Sequence, residues 1–192
     1  MKKVSKILFL FACVIFVSIQ NIKAQSSIDD LVENTSWFIS LDYGVQMSGI
    51  KSEDFVSSNY SPVHRFSIGK WISPSIAVNV GYQGRYFRAI SDNYKYSYDF
   101  YFIEGVLSVG HIFSKDKKQR FYDLLLHAGP GYFNHHRYGR SRIHGNLGAA
   151  NVFSISKKTK LKLDISAIVG WDIYQGDNDI LPNMSFGIFY SL

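Results

Sequence analysis

The last ten residues of the chain, 183–192, alternate apolar side chains with side chains that are mostly small or polar. Neighbouring residues of an extended strand point to opposite faces, so a period of two gives the strand one apolar face. That face consists of Met184, Phe186, Ile188, Tyr190 and Leu192. A strand with an unpaired apolar edge favours aggregation unless it pairs with an earlier strand. The alternation therefore predicts a sheet that closes into a barrel.

Seven earlier segments repeat this alternation, and most reach the roughly 9 to 11 residues that a tilted strand needs to cross a bilayer. The predicted strands cover residues 37–47, 64–72, 76–88, 98–113, 121–134, 143–155, 161–173 and 183–192. Connections after the even-numbered strands are shorter than those after the odd-numbered strands, as in outer-membrane barrels. The predicted fold class is all-β, an eight-stranded antiparallel up-and-down transmembrane β-barrel with a filled polar lumen. Both termini are then expected in the periplasm.

Residues 1–24 have the features of a secretory signal peptide. Three lysines precede an apolar run at 7–19, and Ala24 provides a small residue at the expected cleavage point. The run is shorter than the roughly 20 apolar residues of a spanning helix. We therefore expect a signal peptide at 1–24, a periplasmic lead-in at 25–36 and an outer-membrane barrel at 37–192.

Charge and cysteine content exclude several classes of protein. The chain has 21 Lys and Arg against 15 Asp and Glu, and four of the lysines fall within residues 1–24. The remaining excess of two positive charges is too weak a field to indicate a nucleic-acid partner. The single cysteine, Cys13, lies in the leader, so no disulfide framework is expected.

Metal binding is suggested by His135, His136 and His144. Adjacent residues on a strand face opposite sides, so the first two cannot both bind one ion without a distorted loop. No cysteine or carboxylate completes a ligand set. We therefore expect neither a metal site nor a cofactor.

Glycines on the polar face distinguish a membrane barrel from a soluble one. Every predicted strand has one on that face: Gly44, Gly69, Gly81, Gly110, Gly129, Gly148, Gly170 and Gly187. Small residues there leave room for large neighbours in a narrow lumen, and an eight-stranded barrel is just wide enough for side chains to fill. The alternative is a soluble secreted carrier, which requires a polar exterior and an apolar lumen. Such a glycine-rich face would make a poor solvent coat.

With this pattern the chain resembles the small eight-stranded outer-membrane barrels of the OmpA and OmpX type, in the stand-alone form common in Bacteroidetes-like bacteria. The resemblance covers about residues 36–192 and rests on the strand pattern. It implies location in the outer membrane of a Gram-negative bacterium and contact with membrane lipid and lipopolysaccharide. It also implies recognition by the barrel-assembly machinery through residues 183–192. Such barrels commonly end in an aromatic residue, whereas this chain has Leu192.

The polar face also has charged residues of both signs, and an unpaired charge in a narrow lumen would be costly. We predict a lumenal ion-pair network of Asp42, Arg85, Glu104, Asp123, His144, Lys162, Asp164 and Asp172. Arg65 and His127 lie on the same face. Strand registers predict three neighbouring pairs: Arg85 with Glu104, Ser154 with Lys162, and His144 with Asp172.

An enzymatic alternative uses part of the same set. His144 beside Asp172, with Ser141 nearby, has the residue types for cleaving an acyl ester of lipid A. The segment beginning at His144 lacks the serine two residues later that a lipid A deacylase of this architecture would have. No catalytic residue is therefore assigned.

The third connection on the side of the long loops is strongly basic. Arg137, Arg140 and Arg142 fall within six positions, and arginine forks suit phosphate or sulfate groups. Binding of an anionic glycolipid is one interpretation, and ion pairs with Asp177 and Asp179 are the other. The expected protein is a non-enzymatic outer-membrane barrel with a role in envelope structure or surface contact, and the lipid A hydrolase is the main alternative.

Overall fold

Eight antiparallel strands form a closed barrel in the computed structural model, which describes residues 37–48, 59–88, 95–113, 121–171, 173 and 178–192. The elements are β1 (Trp37–Met47), β2 (Tyr60–Trp71), β3 (Ile76–Arg88), β4 (Lys95–Ser108), α1 (Val109–Phe113), β5 (Tyr122–His135), β6 (Arg140–Ser154), β7 (Thr159–Trp171) and β8 (Asn178–Ser191). Each strand pairs with the next one, and β8 pairs with β1. The predicted all-β, eight-stranded up-and-down barrel is confirmed. The expected signal peptide and lead-in lie outside the described residues.

Two strands begin and end where the alternation predicts, and the others differ at their ends. β1 and β3 match, whereas β8 begins at Asn178 instead of residue 183. β4 ends at Ser108, and the next five residues form α1. Gly110 therefore lies in a short helix and not on the polar face of a strand. The backbone amide of Gly110 donates to Oδ1 of Asp123 at 3.0 Å, a side-chain contact that competes with continued strand pairing.

The β6–β7 register differs from the prediction by two residues. Ser154 pairs with Lys160 and not with Lys162. The turn is tighter than predicted, because the amide of Ile155 donates to the carbonyl of Thr159 at 3.0 Å. The hydroxyl of Ser156 accepts from the backbone amide of Thr159 at 3.0 Å. A side chain that satisfies the turn amides closes the hairpin sooner than hydrophobic alternation alone indicates.

The outer wall of the barrel is apolar over most of its height. Leu41, Ile103 and Phe186 are 65%, 56% and 55% exposed. Rings lie on the wall towards both ends. Trp37 and Tyr190 are at the terminal end, where β1 begins and β8 ends, and Trp171 is at the far end. No helix among the described residues is long and apolar enough to cross a membrane.

Side chains fill the lumen in three layers. A buried aromatic cluster occupies the half towards the far end, where residues 136–139 join β5 to β6: Phe87, Tyr96, Tyr98, Phe100, Phe102, Phe133, Ile168, Ile173 and Leu181. A second cluster occupies the half towards the terminal end: Phe38, Ala77, Val106, Leu125, Ala150, Val152 and Phe189. Charged side chains lie between them. The sequence predicts a filled polar lumen. The lumen is filled, but its charged groups lie between two apolar layers that the alternation does not predict.

Candidate functional site

Glu104 lies at the centre of the buried charges, on the lumenal face of β4. Its two carboxylate oxygens accept from Nη2 of Arg65 at 2.7 and 2.6 Å. Nδ1 of His127 lies 3.0 Å from Oε1, and the side-chain amide of Asn146 donates to the same oxygen. Glu104 is 1% exposed. Donors from three other strands thus replace the water that this carboxylate loses on burial.

Lys162 joins a second pair of carboxylates to this centre. Its Nζ lies 3.1 Å from Oδ2 of Asp42 and 3.2 Å from Oδ2 of Asp164. The other ring nitrogen of His127, Nε2, lies 3.0 Å from Oδ2 of Asp164. His127 therefore bridges Glu104 and Asp164, and the lumenal charges form one connected network.

The network balances acidic and basic groups, all of which are buried. Three carboxylates face two permanent cations and one imidazole, and Cζ of Arg65 lies 4.3 Å from the ring centroid of Phe102. A cavity of about 20 Å³ adjoins the network, lined in part by Ser67 and Asn79, which is room for about one water. The arrangement can hold strands together across the lumen.

Glycines give the network its space. A Cβ on Gly187 would overlap the carboxylate of Asp42 and the carbonyl of Leu41. A Cβ on Gly148 would overlap the ring of His127. The glycine pattern of the sequence thus corresponds, at these two positions, to close approach between side chains and a facing strand.

The predicted pair of Arg85 and Glu104 is wrong, because Arg65 occupies the position beside Glu104. Arg85 is exposed on the outer wall, with its Nη1 3.0 Å from Nε2 of His64. Its φ of 144° is in the region that favours glycine. The strand neighbours of Arg85 are Val63 and Tyr98, both buried in the lumen. The lumen at this level is already filled by Val63 and by Tyr98, whose hydroxyl contacts the buried side chains of Gln46 and Gln83.

Asp123 lies apart from the central network. Its Oδ2 accepts from the hydroxyl of Ser108 at 2.6 Å, and His111 Nδ1 is 3.8 Å away. Together with the contact to Gly110, these groups fix α1 against the start of β5. The carboxylate therefore anchors a connection at the terminal end and is not paired with Arg65 or Lys162.

His144, the predicted neighbour of Asp172, is buried beside Gly170. A Cβ on Gly170 would overlap the imidazole, whose ring meets Phe133 edge-on with centroids 5.2 Å apart. Asp172 lies outside the described residues. Ser141 is exposed and donates to Oδ1 of Asn134 at 3.1 Å. The described geometry thus does not bring the serine and histidine of the enzymatic alternative together.

The other two candidate metal ligands, His135 and His136, lie in different surroundings. His135 is buried between the rings of Tyr96 and Tyr138, with centroids 5.3 and 4.6 Å away. His136 is exposed, with its Nε2 2.7 Å from Oδ2 of Asp99. Within the part of the chain that the structure describes, no three His, Cys, Asp or Glu side chains are grouped to hold a metal ion.

The three arginines of the basic connection are exposed at the far end. Residues 136–139 form a tight turn in which Gly139 has a φ of 57°. Cζ of Arg137 lies 4.9 Å from the centroid of Tyr96, and Cζ of Arg140 lies 5.8 Å from that of Tyr138. Arg142 follows within β6. Two of these cations thus lie over aromatic rings, and all three belong to one connection at the mouth of the lumen.

Comparison with solved structures supports the fold. The N-terminal β-barrel domain of OprF from Pseudomonas aeruginosa is similar with a TM-score of 0.51 and 8% identity, over 80% of this chain and 97% of that one. Neisserial surface protein A is similar with a TM-score of 0.54 and 14% identity, over 80% and 96%. The chain has the fold of the small eight-stranded outer-membrane barrels. At these identities the likeness is one of fold, and no family model or curated protein sequence matches the chain.

Proposed function

We propose that the protein is an integral, non-enzymatic barrel of the Gram-negative outer membrane, with a role in envelope structure or surface contact. One observation carries the proposal. The outer wall exposes large apolar side chains such as Leu41, Phe186 and Ile188, while Glu104 and Asp164 are enclosed in the lumen. A protein in water would reverse this arrangement, whereas lipid favours it. The soluble carrier loses its support for the same reason.

Insertion into lipid is tested with tryptophan fluorescence. Trp37 and Trp171 are 49% and 51% exposed on the wall, whereas Trp71 packs against the lumenal cluster near Phe38. Variants that keep one tryptophan each are reconstituted in bilayers of brominated lipid, and bromine quenches rings that touch acyl chains. We expect strong quenching of Trp37 and Trp171 and weaker quenching of Trp71. Equal, weak quenching of all three would refute insertion.

The proposal also covers the two ends of the chain, one as a signal peptide and the other as an assembly signal. Residues 1–24 are removed as a signal peptide, and both termini of the barrel lie in the periplasm. Residues 183–192 present the assembly signal, supported by the outward apolar row that ends at Tyr190 and Leu192. Protease added to intact cells should then cleave at the far end alone, and a tag placed after Leu192 should become accessible only when the outer membrane is permeabilised.

The exposed arginines at the mouth are proposed to bind an anionic glycolipid headgroup. Three guanidinium groups within a short segment provide forked donors for phosphate, and all three are exposed. The test is binding to immobilised lipopolysaccharide at low salt. Replacing Arg137, Arg140 and Arg142 with Gln should weaken binding and reduce its salt dependence.

The control for that experiment is a double variant at the opposite end. Lys157 and Lys158 are exposed in the β6–β7 turn, and their replacement with Gln also removes positive charge from the surface. Binding should be retained in this control. If the control lost as much binding as the arginine variant, net charge and not the mouth would be responsible, and the proposed site would be rejected.

A further inference from the structure

A second cationic cluster lies on the outer wall of the barrel at the far end, separate from the arginines at the mouth. It consists of His64, Arg85, Tyr86 and Lys95, on β2, β3 and β4, and is called the wall cluster here. Cζ of Arg85 lies 5.9 Å from the ring centroid of Tyr86, and Nζ of Lys95 lies 4.9 Å from it. Nη1 of Arg85 is 3.0 Å from the ring of His64. Two permanent cations therefore meet at one tyrosine on the wall.

The backbone of β3 is distorted where it turns Arg85 outward. By strand parity Arg85 belongs in the lumen, as Gln83 and Phe87 do, both of which are fully buried. Its φ of 144° instead directs the side chain to the wall. Lumenal Gln46 donates through Nε2 to the carbonyl of Tyr86 at 2.6 Å, which holds the distorted segment in place. The fold thus maintains an unfavourable backbone conformation where a guanidinium reaches the exterior.

The surroundings of the wall cluster are those of a membrane interface. Phe66 and Val80, nearer the middle of the same strands, are exposed and apolar. Tyr60 and Tyr86 lie towards the far end, where aromatic rings mark the boundary between acyl chains and headgroups. Arginine and lysine at such a boundary keep their stems in the apolar layer and extend their charges to the headgroups.

Among the residues that the structure describes, Asp99 lies beside the wall cluster, on the strand next to Arg85. Asp99 on β4 accepts from the hydroxyl of Tyr82 at 2.8 Å through Oδ1. Its other oxygen lies 2.7 Å from Nε2 of His136. Both carboxylate oxygens of Asp99 are thus engaged by Tyr82 and His136, and not by Arg85 or Lys95.

We propose that the wall cluster binds the phosphate of a lipid in the leaflet at the far end, a phosphorylated glycolipid whose acyl chains lie along Phe66 and Val80. The inference rests on the proposed insertion into the outer membrane. Arg85 provides a planar fork for two phosphate oxygens, and Lys95 adds a second charge from the neighbouring strand. A lipid fits better than a soluble anion, because the cations lie directly above an apolar wall.

The experiment measures lipid retention by the purified protein in micelles of an uncharged detergent. Diphosphoryl lipid A is titrated in, and native mass spectrometry reports the fraction of protein with one lipid bound. Wild type should bind it, and replacement of Arg85 and Lys95 with Gln should lower the apparent affinity about tenfold or more, as expected for the loss of charge-assisted contacts. Lipid A stripped of phosphate should bind weakly to both proteins.

Lys70 offers a matched control, because its Nζ lies 5.6 Å from the ring centroid of Trp37 on the wall at the terminal end. Lys70→Gln removes a wall cation over an aromatic ring and should change lipid A affinity less than twofold. Affinity in the Arg85 and Lys95 double variant equal to wild type would overturn the inference. Displacement of lipid A by equimolar inorganic phosphate would also overturn it, because the acyl chains would then contribute nothing.

Arg85→Gly separates binding from folding. Glycine tolerates a φ of 144°, so the barrel should unfold at the same urea concentration as wild type or a higher one. Lipid A affinity should nevertheless fall. Wild-type affinity in folded Arg85→Gly would count against the wall cluster. Quenching of Trp171 by brominated lipid reports insertion independently. If the wild-type protein shows normal quenching but does not retain lipid A, this inference is rejected and the proposed insertion is not.

Discussion

Glu104 shows how a single residue connects distant parts of the chain. Its carboxylate contacts Arg65 of β2, His127 of β5 and Asn146 of β6, all of which lie in the lumen. A buried charge is tolerated when its partners are well placed, and loss of one partner leaves the others desolvated and unpaired. The stability of the barrel should therefore be sensitive to Glu104 in a way that it is not to exposed charges.

Glu104→Gln keeps the shape of the side chain and removes its charge. We expect the free energy of unfolding to fall by about 3 to 5 kcal/mol, because Arg65 loses the charged partner that it contacts directly. The measurement is urea unfolding of the protein in lipid vesicles, followed by tryptophan fluorescence. Lys157→Gln, in the exposed β6–β7 turn and outside the network, is the control and should stay within about 0.5 kcal/mol of wild type. A loss in Glu104→Gln no larger than that of the control would contradict the role of the network.

At the level of elements, side-chain contacts decide where strands stop. β4 gives way to α1 because Asp123 captures the amide of Gly110 and the hydroxyl of Ser108. The β6–β7 hairpin closes early because Ser156 accepts from turn amides. In both cases a polar side chain satisfies backbone groups that a continued ladder would otherwise satisfy.

Asp123→Ala should loosen the β4–β5 connection without opening the barrel. Loss of the two acceptor contacts is expected to cost about 1 to 3 kcal/mol. The amide of Gly110 should exchange with deuterium faster in the variant, whereas the amide of Ile103 in the middle of β4 should be unaffected. Asp123→Asn retains one carbonyl acceptor and should show an intermediate rate. Unchanged exchange at Gly110 in Asp123→Ala would show that α1 forms without the carboxylate.

On the scale of the whole molecule, the barrel places apolar side chains outside and charges inside. The described outward neighbours of Leu41 are Phe66 and Ile188. Neither has a polar group that could pair with a charge at this position. In lipid, a charged substitution near the middle of the wall should therefore be costly, and one at a rim should be tolerated.

Leu41→Arg should reduce the free energy of folding into bilayers by about 2 to 4 kcal/mol, compared with about 1 kcal/mol or less for Ile155→Arg in the rim turn. Both residues are more than half exposed, at 65% and 61%. If the wall faced water, the two substitutions would therefore change the free energy of folding by similar amounts. The comparison is made by urea titration in vesicles of fixed lipid composition. Equal costs at the two sites would argue against a lipid-facing wall.

Side-chain parity by itself determined the strand count, the closure of the sheet and the apolar outer wall. Alternation is a local property, and each strand repeats it, so errors at the ends of strands do not change which face a central residue occupies. Parity predicts that Asp42, Glu104, Lys162 and Asp164 face the lumen, and the structure buries all four there.

Only the tertiary structure decided which charges meet. Arg65 and Glu104 are on strands that are not neighbours, and their contact across the lumen depends on the space left by aromatic residues and glycines of other strands. The same crowding by Tyr98 and Phe87 excludes Arg85 from the lumen. Pairing across a filled interior is set by the volume and shape of all the strands together, whereas the face of each residue is set by its place in one strand.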